Sequence, residues 1–142
     1  MVRLFRFCLI LWIAVVSPSF VQGVAPEAYD SWNKDAIRAE AVVENAEASD
    51  AALEALRSQI VDWRQTFLDA QSQDIARVAI LEDQLNALAP VPETGADPLA
   101  DRRAALSEQL NAARAPLLRA EEAYSRANGL IREIDQIISA RH

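Results

Sequence analysis

The run from Asp50 to Ala89 contains neither proline nor glycine. Such a run is long enough for about 39 residues of helix, or about 58 Å at 1.5 Å per residue. Within it Leu53, Leu56, Ile60, Trp63 and Phe67 follow one another at alternating spacings of three and four. That is the heptad rhythm of a seam between packed helices. The rhythm loses phase across Gln71-Ser72-Gln73-Asp74 and resumes at Ile75, Val78, Leu81, Leu85 and Leu88. The step of eight from Phe67 to Ile75 resembles a stutter, which unwinds a supercoil locally. Ser49 is a good N-cap for this helix, and Asp50 and Glu54 suit the positive end of its dipole.

Three prolines and a glycine fall in residues 90–98, which therefore read as a connector between two helices. A further helix is predicted from Leu99 onward. Its seam is Leu106, Leu110, Ala113, Leu117, Ala120, Tyr124, Ala127, Ile131, Ile134 and Ile138. The rhythm persists through Pro116, which predicts a kinked helix rather than a stop. Asn128-Gly129 is a second weak point, and the continuing period again favours one helix. Before Ser49, residues 27–47 form a shorter amphipathic segment. Trp32, Ala36, Ala39, Val43 and Ala46 make its stripe, and Tyr29 adds to its start. A stripe so rich in alanine has to pack on something larger.

Folding back about the connector sets an antiparallel hairpin in which facing residue numbers sum to about 188, twice the loop centre. Phe67 then meets Ala120 and Tyr124, Trp63 meets Tyr124 and Ala127, Leu56 meets Ile131, and Leu53 meets Ile134 and Ile138. Large side chains face alanines, as a narrow hairpin requires. The aromatic end, with Trp32, Trp63, Phe67 and Tyr124, is the predicted stable end. The connector end, held by Leu81, Leu85, Leu88 and Leu106, is predicted to open first. The expected fold class is all-α: an elongated coiled-coil-like hairpin with a short additional N-terminal helix.

Residues 1–23 differ from the remainder. Arg3 and Arg6 precede the apolar run 7–16, Ser17-Pro18-Ser19 breaks it, and Val21-Gln22-Gly23 places small residues where a processing enzyme cuts. This pattern reads as a secretory signal peptide cleaved after Gly23. The competing reading is an N-terminal anchor or buried helix, for which the run is short. Cys8, the one cysteine, lies in the apolar run and reads as part of it. Residues 24–142 then form one helical domain with 12 basic and 21 acidic residues, a net charge of −9. Its arginines are scattered among carboxylates, so no basic stripe for nucleic acid is present.

Carboxylates are the only abundant chemistry. Asp62, Asp69, Asp74, Glu82, Asp83, Glu121, Glu122, Glu133 and Asp135 fall outside the seams and read as solvated faces. Several have arginines within helical reach, for example Glu54 with Arg57 and Glu122 with Arg126. His142 has no second histidine, and Ser49 is explained as a cap. The expectation is no enzyme, with no catalytic, cofactor-binding or metal-binding residue, no cofactor and no small-molecule substrate.

Two stretches carry a resemblance. They are residues 49–64, SDAALEALRSQIVDWR, and residues 120–135, AEEAYSRANGLIREID. With the leader and the opening Tyr29-Asp30-Ser31-Trp32, they resemble a helical domain of unknown function that precedes the membrane region of MscS-type small-conductance mechanosensitive channel proteins. The resemblance implies an accessory or sensing domain, exported to the periplasm and attached in full-length relatives to the inner membrane. Its implied partners are its own transmembrane channel region or the channel subunits. The sequence departs from that family in reaching His142 with no pore segment. Either a detached N-terminal part of a channel or a free-standing relative is the expectation. A reading frame that continues into apolar stretches of about 20 residues would mark the channel. The alternative is a free-standing coiled-coil adaptor or chaperone-like protein that forms a homo-oligomer through exposed seam.

Overall fold

The computed structural model describes residues 24–45 and 47–142; the leader assigned to residues 1–23 and the stripe position Ala46 lie outside them. The described residues form three α-helices: α1 (Pro26–Asn45), α2 (Asp50–Asn86) and α3 (Ala100–Ala140). Pro26 opens α1, where its fixed φ suits the first turn and its missing N–H is not needed. Ser49 caps α2, its hydroxyl accepting from the Ala52 N–H at 3.3 Å. α2 stops at Asn86, three residues short of the proline-free run. α3 runs unbroken through Pro116 and Asn128-Gly129.

α2 and α3 form the hairpin, and α1 lies along one half of it. Asp35 of α1 accepts hydrogen bonds from Gln59 and Trp63 of α2, both at 3.0 Å. Glu40 accepts from Arg126 of α3 at 2.8 Å. α1 therefore covers the stretch of hairpin nearest the α1–α2 turn. Beyond Tyr29 the described residues are two helices thick.

The register departs from the loop-centred expectation. Arg57 reaches Asp135 at 2.6 Å and Arg64 reaches Asn128 at 3.3 Å, and both pairs of numbers add to 192. Gln71 donates to the Ala120 carbonyl at 3.3 Å, a pair that adds to 191. The facing residues are thus shifted by about one turn from a sum of 188. The connector explains the shift, because it is not a symmetric arc. Arg103, in the first turn of α3, donates to the Ala89 carbonyl at 2.8 Å and to Asp97 at 3.3 Å. α3 thus starts beyond the end of α2, and the connector folds back beside it.

The core is widest at the aromatic end. Phe67 is fully buried, with Tyr29 stacked at 5.5 Å between centroids, Trp63 stacked at 5.8 Å and Trp32 edge-on at 5.3 Å. Ala36, Ala39, Ala123, Ala127, Leu130 and Ile131 complete that cluster, and Tyr124 packs at its margin. Ala123 and Leu130, outside the expected α3 seam, are buried because this part of α3 also faces α1. Val43, Leu117, Tyr124 and Ile138 are only half-buried.

The α2 seam holds the main correction. The step of eight from Phe67 to Ile75 is replaced: the rhythm passes from Phe67 through Ala70 and Asp74 to Val78, Leu81, Leu85 and Leu88, and the expected stutter remains as two successive steps of four at 70, 74 and 78. Asp74 is 6% exposed and Ile75 is 53% exposed, the reverse of their expected roles. A continuous seam of three and four keeps both helices in contact, and that geometry outranks the polarity of one side chain.

Gly129 sits inside α3 with open space where a Cβ would project. It therefore lowers helix propensity without permitting a close contact. Gly129→Ala is expected to stabilise the fold by about 0.5–1 kcal/mol, read as a raised urea midpoint.

Candidate functional site

Two features stand out chemically: a cleft between α1 and α3, and Asp74, an acid set in the seam between α2 and α3. The cleft measures about 190 Å³ and is lined by Tyr29, Trp32, Asn33, Arg119, Glu122, Ala123 and Arg126. The α3 members recur at three- and four-residue steps, which places them on one face. The Arg126 guanidinium is held by Glu40 at 2.8 Å and Asn33 at 3.3 Å, and lies 6.0 Å from the Trp32 ring centre. It turns across to α1, away from the expected i,i+4 pairing with Glu122. The Arg119 guanidinium stands 5.0 Å over the Tyr29 ring. Burial raises the Tyr29 pKa, opposed by Arg119 and aided by the charge of Asp74. The phenol therefore stays protonated at neutral pH.

This cleft binds α1 to the hairpin. Its rings are occupied: Tyr29 is sandwiched between Arg119 and Phe67, and Trp32 is 2% exposed. None of the lining residues is a serine, cysteine, histidine or lysine.

Asp74 lies in the seam rather than on a face. Among the described residues no hydrogen bond or ion pair holds its carboxyl. Burial raises its pKa, and Arg77 one turn along the same helix only partly opposes this. Of the other carboxylates, Asp62, Asp69, Asp83, Glu121, Glu122 and Glu133 are exposed, as expected for solvated faces. Glu82 pairs with Arg114 at 2.8 Å and Asp135 with Arg57 at 2.6 Å. Arg57 thus reaches across the hairpin instead of pairing with Glu54; its pKa is raised chiefly by the hydrogen bond to Asp135. Asp50 receives Arg141 at 2.7 Å, with His142 at 3.7 Å. Among the described residues no group of three His, Cys, Asp or Glu side chains converges as a metal site would require.

No protein-family model, curated protein or solved structure matches the chain. No described helix is long and apolar enough to cross a membrane.

Proposed function

We propose that residues 24–142 are a non-catalytic helical-hairpin module exported to the periplasm, where it serves as an accessory or sensing domain of an MscS-type mechanosensitive channel. The observation that carries this reading is the hairpin itself. Its helices of 37 and 41 residues give it a reach of about 55–60 Å. Polar ties between α2 and α3 recur along it, at 57 with 135, 64 with 128 and 82 with 114. Such a rod suits reaching, spacing and contact with neighbours, because its length is spent on one continuous helix–helix seam. The resemblance of residues 49–64 and 120–135 to the domain that precedes the channel's membrane region supports the assignment.

A rod of this kind biases a gate only if its contacts differ between the closed and open states. The test is to delete the corresponding domain from a full-length channel relative and record the tension threshold in membrane patches. A shifted threshold is expected; an unchanged threshold overturns the sensing role. A second reading, a coiled-coil adaptor that self-associates, is favoured by the apolar side chains left bare on Leu68, Ile75 and Leu118.

A further inference from the structure

Leu68 is 41% exposed, Ile75 53% and Leu118 64%. These three side chains share one face, and the polar ties identify it. Arg57, Arg64 and Gln71 recur every seven residues on α2, and each reaches across to α3. Gln59 and Arg126 lie two residues from Arg57 and Asn128, about 200° around their helices, and these are the residues that hold α1. The Arg57–Arg64–Gln71 face is therefore the one turned away from α1. Leu68 and Ile75 stand four residues after Arg64 and Gln71, on that same side. On α3, Leu118 is seven residues from Ser125, which with Tyr124, Asn128 and Arg132 lines a broad depression of about 430 Å³.

We propose that this face binds a second copy of the chain, antiparallel, closing a four-helix bundle over the middle of the hairpin. Its own charges argue for self-pairing. A two-fold axis crossing α3 at Leu118 sets that leucine against its symmetry mate. It also sets Arg114, one turn before, beside Glu121 of the second copy, one turn after, and repeats the pair by symmetry. Arg114 already lies 2.8 Å from Glu82, so the contact alternates acid, base, acid. The same axis lays α2 on α2 of the second copy and brings Leu68 toward Ile75. The levels agree. The midpoint between Leu68 and Ile75 falls within one turn of Asp74, the α2 residue that stands opposite Leu118 in the register of 192. The partner thus covers bare leucine and isoleucine with the same residue types, rimmed by opposite charges.

The test uses the full chain with Cys8, its one cysteine, changed to serine. Leu118→Cys in that background is expected to give a disulfide-linked dimer under mild oxidation, twice the 15.7 kDa of the chain. Ile37→Cys, equally exposed on α1 at 61%, is expected to remain monomeric. Linking at both positions alike, or at neither, overturns the proposal. In sedimentation, Glu121→Arg is expected to weaken self-association about tenfold, with Arg114→Glu and Glu82→Arg added together, which restore both ion pairs with reversed sign, recovering most of the loss. Helix content by circular dichroism should stay unchanged in every variant. A monomer at all concentrations, or a charge swap without recovery, also overturns the pairing.

Discussion

Phe67→Ala is expected to destabilise the fold by about 3–5 kcal/mol, the usual range for emptying a fully buried aromatic site. Phe67 touches three other rings, contributed by α1 and by α2 itself. Its loss therefore opens a cavity where all three helices meet, and the two α1 rings packed on it, Tyr29 and Trp32, lose their common neighbour. A domain of this size is typically stable by about 5–15 kcal/mol, so the variant should lie near its unfolding limit at room temperature. Urea unfolding gives the size of the effect, and amide exchange gives its location. Protection should fall first in α1 and in the part of α2 around Trp63. Leu68→Ala, one residue away and exposed, should change the monomer's stability by less than about 0.5 kcal/mol. Comparable losses at both positions would mean that the aromatic cluster is not the anchor.

Asp74 gives the second large effect, of opposite sign. Asp74→Asn is expected to stabilise the fold at pH 7 by about 1 kcal/mol, because it removes a charge set in the apolar seam, part-shielded from water, that no ion pair compensates. The pH dependence follows from the direction of the shift. The carboxyl holds its proton more tightly in the folded chain than in the unfolded one, where it titrates near 3.8. In the window above 3.8 the native state binds more protons, so stability falls as pH rises through the folded value. The advantage of Asp74→Asn over the parent should therefore be large at pH 7 and small below pH 3.8. Unfolding both proteins in urea at the two values checks this. An advantage independent of pH would show that shape, not charge, separates the two side chains.

Most of the architecture could be read from residue spacing, because seam residues that recur at three and four leave a helix few other ways to pack. Leu53, Ile60, Phe67, Leu106, Leu110, Ala120, Ile131 and Ile134 are buried where the rhythm puts them. Two things escaped. A reading by residue type skips Ala70 and Asp74, one small and one acidic, so the seam looked broken where it is continuous. The register escaped because it depends on how the connector is tied down by Arg103, a contact between side chain and backbone that no periodicity encodes. The cleft at Arg119 and Arg126 was hidden for a related reason. Helical neighbours such as Glu122 look like natural partners, whereas Arg126 takes partners on α1, far along the chain.

The shorter length of α1 has a mechanical consequence. Near the α1–α2 turn the described residues make a rod three helices thick, and past Tyr29 it narrows to two. Resistance to flexing rises steeply with cross-section, so a sideways push on the connector would curve the slender half and leave the thick half straight. In a single copy, deformation would gather at the step in thickness, beside Asp74, where close packing gives way to half-covered leucines and a charged side chain already weakens the joint.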